Sequence, residues 1–431
     1  MPLFFLCCCA ALADPILATN PAIPADLQLT TFASGLNFPY GLYQLPDGSI
    51  LAATSNGGLL GSSLQIDRIT QTNGIANTPT VVYNGGAGPA TGLTGVGNIV
   101  AVATGTNTGS QIVLLQAGAG GSLTQIGQMT FNYPPGAWDH DSHAIAMQAV
   151  AGQPGEYQLI FSVGSQNNQT PSTDTVGITG LATATLNPDS IYSMTFSVSG
   201  STVTPSAPTE VATGLRNAFA LGFDSTGEIY FAENGIDFNN TNVPVSTDYL
   251  AVIPTGSGLL NFGFPNTYYD PNTGQMIGPG TGVTPPYVKF LPLDGMATQG
   301  AGGLAFAPSG FPAGLNDGVF VGFYGKHTDG AGNDLGGVVY VDLSTGQYFD
   351  FIPNAQDGID HPVSFLSTPS ALYIADLSTT GSDTQNGTGS IFEVSLLAVP
   401  EPGMGVLFAT SIALVGCVAW RRGKSSLLRR V

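Results

Sequence analysis

The chain has 431 residues, 43 % of them hydrophobic, with 59 glycines, 30 prolines and a formal net charge of −19. That hydrophobic share excludes a disordered chain, and nine Lys and Arg, five of them in the last eleven residues, leave no basic face for nucleic acid. The four cysteines, Cys7, Cys8, Cys9 and Cys417, all sit in terminal apolar runs, so the region between them has neither an internal disulfide nor a thiolate metal site.

In chain order, the first element is an address. "MPLFFLCCCAALADP" is an apolar run that leads to the small-residue site Ala11-Leu12-Ala13, which reads as an export signal over residues 1–13. An acidic body suits that destination, because self-repulsion keeps it soluble.

The body then repeats one phrase: an apolar segment, a turn with Pro or Asp and Gly, and a β-rich run. "GLNFPYGLYQLPDGSILAAT" from Gly35, "GLRNAFALGFDSTGEIYFAENG" from Gly214, "GAGGLAFAPSGFPAGLNDGVFVGFYG" from Gly300 and "HPVSFLSTPSALYIADLS" from His361 are clear copies. Weaker ones start at Gly92 and His143. In the Gly214 copy, Asp224 to Gly227 makes the tight turn between two strands whose residues alternate in and out. One hairpin cannot bury its faces alone, but six can stack radially, and no long amphipathic helical run competes. The expectation is an all-β, six-bladed β-propeller over residues 27–395, with an array of β-sandwiches as the alternative.

One stretch inside the body concentrates chemistry. "WDHDSHAIAMQ", Trp138 to Gln148, holds two of the four histidines, His140 and His143, beside Asp139 and Asp141. It reads as a metal site, as a base with its carboxylate, or as a polar loop. Neighbouring strand residues point to opposite faces, so the four side chains cannot all ligate one ion from a strand.

Several phrases in order resemble the soluble quinoprotein glucose dehydrogenases and the wider glucose/sorbosone dehydrogenase family. They are "HAIAMQ…YQLIFSVGSQNN", "GLRNAFALGFDSTGEIYFAENGID" and "DYLAVIPTGSGLLNFGFPN", which ends in Asn261-Phe262-Gly263-Phe264-Pro265. The resemblance implies a six-bladed propeller that binds pyrroloquinoline quinone (PQQ) and calcium on its axis and oxidises a sugar at C1. It implies His143 as general base, Arg216 with Asn217, Gln166 and Lys326 at the cofactor, and the backbone carbonyls of Gly235 and Ile236 at calcium. Only four cations precede the tail, and two of them, Arg216 and Lys326, fall on these positions. The chain also departs from the family. Ser165 replaces a carboxylate, Ile145-Ala146-Met147 replaces Gly-Arg-Leu, Ile236 replaces a proline, and no arginine lies between Arg216 and Arg421.

The last element, residues 399–431, runs from Val399-Pro400-Glu401-Pro402 through an uncharged apolar stretch, 403–420, to Arg421 and Arg422. This order resembles the PEP-CTERM sorting signal of Gram-negative bacteria. It implies a transient inner-membrane anchor by a transmembrane helix, an exosortase partner, and delivery to the cell surface or matrix. Three functions remain open: a cell-surface PQQ-dependent aldose dehydrogenase; a non-catalytic propeller binding glycans or surface partners; and a calcium-dependent lactonase or esterase with Glu233, Asp237, Asn239 and Asn240 as candidates for its metal site.

Overall fold

The structure is a computed structural model that describes residues 26–56, 63–86, 88–105, 109–136, 138–236, 246–291, 300–325, 337–352, 359–378 and 386–397. The chain forms two compact units, Met1–Ser395 and Leu396–Val431. All but two residues of the second lie outside the described range, as do the export signal, the sorting tail and Lys326. Among the described residues no helix is long and apolar enough to cross a membrane.

The first unit is a six-bladed β-propeller, as the repeated phrase predicts. Its blades begin with the inner strands Gly41–Gln44, Ala90–Val96, Ile145–Ala149, Ala218–Phe223, Ala301–Phe306 and Pro362–Ser367. Each passes by antiparallel neighbours to an outer strand. The ring closes by exchange: the N-terminal strand Leu27–Leu36 is the outermost strand of blade 6, beside Gly389–Leu396. Two excursions tie further blades. Val176–Gly180 and Ala184–Leu186, from within blade 3, extend the sheet of blade 2, and Leu260–Asn261, from within blade 4, pairs parallel with blade 3. The one helical element among the described residues is a single 3-10 turn, Ala119–Gly121.

Turn chemistry matches the phrase. Asp224 Oδ1 accepts the N–H groups of Thr226 (2.9 Å) and Glu228 (2.8 Å), and Gly227 takes φ 87°, a region that costs other residues a steric clash. Asp270 and Asp342 build the same device in "DPNTGQ" and "DLSTGQ", each accepting two N–H groups of its own turn.

The expected in–out alternation fails in the second strand of the blades. Ile99–Thr104, Ile229–Glu233, Val319–Phe323 and Ala371–Asp376 are buried along their whole length. Neighbouring blades cover both faces of such a strand, so it reads as a continuous apolar run. Close stacking also explains part of the glycine content. A Cβ on Gly303 would fall 2.6 Å from the carbonyl oxygen of Val363 in the next blade.

Because every blade starts at the axis and returns there from its rim, the inner strands all run the same way. The residues just before them therefore gather on one face, around the axial mouth. Across it, the Tyr40 ring of blade 1 meets Phe219 of blade 4 edge to face at 5.6 Å.

Candidate functional site

Blade 4 opens with Leu215-Arg216-Asn217, and Glu233, at the end of its second strand, anchors this opening. Glu233 Oε1 accepts the backbone N–H groups of Arg216 and of Asn217 (3.0 Å). The Asn217 carbonyl accepts from Asn234 N at 3.1 Å. The carboxyl is fully enclosed, and burial pushes its pKa up to about 8 against the opposing pull of the two N–H donors and Arg216. Its second oxygen, Oε2, is buried without a hydrogen-bond partner, and so is Oδ1 of Asn234.

These groups border a narrow cleft lined by Arg216, Glu233 to Ile236, Ser246, Thr247 and the aromatic side of Tyr249, Phe262, Phe264, Tyr268 and Tyr269. Arg216 is buried; its Nε donates to Asn168 Oδ1 at 2.6 Å and one terminal nitrogen lies 3.4 Å from the Asn234 carbonyl. Gly235 N–H is held by Asp248 Oδ1 at 2.7 Å, and the Ile236 carbonyl accepts from Ser246 N at 3.0 Å. Arg216, Asn217, Gly235 and Ile236 thus come together.

Gln166 does not join them. Its Oε1 accepts from Thr173 N (3.1 Å) and its Nε2 donates to Asp174 Oδ2 (2.7 Å), so the amide folds onto its own loop. Asn168, two residues on, reaches Arg216 instead, and nothing in the sequence reading marked it out. Lys326, Asp237, Asn239 and Asn240 lie outside the described residues.

The stretch from Trp138 to Gln148 is a junction between blades 2 and 3. His140 Nδ1 lies 2.8 Å from Ser165 Oγ, and Ser165 N donates to the Arg216 carbonyl at 2.8 Å. His143 is wholly buried, packed on Phe131 with ring centroids 3.9 Å apart. Its Nδ1 lies 2.6 Å from the Ser162 carbonyl, which can only accept, so Nδ1 carries the proton. Nε2 then accepts from the Ser110 hydroxyl at 2.5 Å. Both ring nitrogens are engaged, and burial lowers the pKa to about 4. Among the described residues no three His, Cys, Asp or Glu side chains gather closely enough to hold a metal, so the cluster reading of Asp139, His140, Asp141 and His143 has no geometric support.

No protein-family model matches the chain, and no curated protein matches it in sequence. Solved structures do match in fold. The PQQ domain of pyranose dehydrogenase from Coprinopsis cinerea superposes with a TM-score of 0.55 at 14% identity, over 89% of this chain and 99% of that one. A family AA12 carbohydrate-active enzyme of Trichoderma reesei gives 0.56 at 16% identity, over 89% and 98%. The PQQ-bound aldose sugar dehydrogenase of Streptomyces coelicolor gives 0.51 at 17% identity, over 87% and 100%. The chain therefore shares the propeller fold of these proteins along nearly their whole length.

Proposed function

We propose that the chain is a sugar oxidoreductase that works with a quinone cofactor and calcium at the mouth of its propeller. The observation that carries this reading is the surroundings of Arg216. One of only four cations ahead of the tail is buried beside two unpartnered oxygens, Glu233 Oε2 and Asn234 Oδ1. Hard oxygens of this kind, next to the backbone of Gly235 and Ile236, fit a calcium ion. The guanidinium fits one carboxylate of a polyanionic cofactor. Bound there, the quinone would supply a two-electron acceptor and calcium would polarise it. The chain's own residues would bind, orient and exclude water. The fold likeness to PQQ-dependent sugar dehydrogenases supports the same reading.

Titration of the full chain with PQQ in calcium buffer, followed by absorbance, is expected to saturate. Arg216→Ala removes a charge-assisted bond and is expected to weaken binding roughly tenfold or more. Absence of any saturable binding overturns the reading. It leaves a non-catalytic propeller that binds glycans, which the engagement of both His143 nitrogens favours. In either case we read the substrate or partner as a sugar or exopolysaccharide outside the cytoplasmic membrane. On this reading the chain is exported, held briefly in the inner membrane by its tail and processed by an exosortase.

A further inference from the structure

His361 lies directly before the inner strand of blade 6, the position that Asn217 holds in blade 4. The same device anchors it. Asp376, at the end of its blade's second strand, accepts the N–H groups of Asp360 (2.7 Å) and His361 (2.9 Å) on Oδ2 and that of Ser378 (3.0 Å) on Oδ1. The imidazole is 3% exposed, and its Nδ1 lies 2.6 Å from the Tyr324 carbonyl. That carbonyl only accepts, so Nδ1 carries a proton, and in the neutral ring the lone pair is at Nε2. Nε2 is buried and has no hydrogen-bond partner. His143 differs at this one atom, because its Nε2 is taken by Ser110.

The surroundings suit a sugar. The Tyr324 ring stacks on the imidazole at 4.8 Å and 19°. Tyr324 and Phe219 are both partly exposed, and both pack in one apolar cluster with Phe38, Tyr40 and Val363. Rings from blades 1, 4 and 5 thus share one apolar cluster with Val363 of the strand that His361 precedes, and the partly exposed Phe219 and Tyr324 give apolar surface for the face of a pyranose.

We propose that His361, rather than His143, is the general base of the axial mouth, taking the anomeric hydroxyl proton of an aldose that lies over Phe219 and Tyr324. The proposal rests on the oxidoreductase reading above. The O1–H bond breaks and its proton goes to Nε2. The C1–H bond breaks and its hydrogen leaves with two electrons to an o-quinone oxidant. The C1–O1 single bond becomes a carbonyl, and the product is a lactone. Throughout, the Tyr324 carbonyl holds Nδ1–H, and that bond strengthens as the ring becomes an imidazolium.

Two measurements test this. His361→Asn keeps an amide donor for the Tyr324 carbonyl and removes Nε2. Reconstituted with PQQ and calcium, it is expected to lose roughly 10²-fold or more in kcat at unchanged PQQ affinity, while His143→Asn loses less than about tenfold. The reverse ranking, or equal turnover by His361→Asn and the parent, overturns the assignment and leaves the oxidoreductase reading standing. The second readout needs no turnover. In ¹⁵N-imidazole spectra of the loaded full chain, glucose or xylose is expected to shift the Nε2 resonance of His361 and not that of His143. A His361 resonance unmoved at saturating sugar, with an ordered water donating to Nε2 in a crystal structure, assigns the lone pair to solvent and overturns the proposal. Failure of PQQ to bind, by contrast, strikes the functional reading itself.

Discussion

Glu233→Ala is expected to cost about 3 kcal/mol of stability, and Glu233→Gln about 1 kcal/mol or less, read from urea midpoints of the two variants beside the parent. The reason is the pair of backbone N–H groups, Arg216 and Asn217, that share Oε1. Alanine leaves both donors buried with no acceptor, and each such loss costs about 1–3 kcal/mol. The enclosed carboxyl carries its own desolvation cost, so removing it returns part of that sum. Glutamine keeps the accepting oxygen in place and changes only the unpartnered side. The Ala variant is also expected to loosen Arg216, and with it cofactor affinity, because the anchored amide belongs to the residue that carries the guanidinium. If Ala and Gln destabilise alike, the contribution lies in the charge or in Oε2 and not in the accepting oxygen that holds the blade opening, since glutamine keeps that oxygen and the volume. Asp376→Ala should destabilise in the same way at blade 6, where the clamp holds Asp360 and His361, but Asp376→Asn should cost more than Glu233→Gln, because its second oxygen also accepts the Ser378 N–H and an amide nitrogen there could not.

Much of this was written in the sequence because it is local. The Asp-x-x-Gly turns carry their own hydrogen bonds, so the hairpin at Asp224 could be read from four residues. Six copies of a hairpin that cannot bury itself then imply a ring. The full burial of Ile229–Glu233 was missed because it depends on blades far away in sequence, and a short apolar run looks the same under an alternating or a continuous pattern. The site divides in the same way. Arg216 and Asn217 were found through a phrase, while Asn168 was not, since a loop residue 48 positions away meets Arg216 only after blades 3 and 4 dock. Gln166 was placed by its neighbours in the phrase, yet four hydrogen bonds within its own loop decide where its amide goes. A signal for the clamps did exist: "IYFAE" and "LYIAD" each end an apolar run on a single carboxylate, Glu233 and Asp376. An acid that closes a buried strand must be satisfied by something, and the nearest donors are the backbone amides of its own blade's opening.

The remaining large effect is a pH dependence centred on His143. Its imidazole is neutral and wholly enclosed, with a folded pKa near 4 against an ordinary 6.5. Between those values the unfolded chain binds the proton and the folded chain does not. Stability from this residue is therefore fully present above pH 6.5 and is lost as the pH falls through 4, a change of about 3 kcal/mol. Protonation would also turn Nε2 into a donor facing the Ser110 hydroxyl, which would have to rotate to accept. Burial raises the pKa of Asp67, Asp189, Glu233 and Asp376, and those groups act in the opposite sense, gaining stability on acidification. The parent's own pH profile therefore mixes both signs. The difference between parent and His143→Asn isolates one residue, because the amide keeps a donor for the Ser162 carbonyl and does not titrate. The parent's urea midpoint is expected to fall relative to that of the variant between pH 6.5 and 4, and the two curves should run parallel above pH 7. Parallel curves across the whole range would mean that His143 protonates in place, which requires an opening between blades 2 and 3 that lets solvent reach the ring.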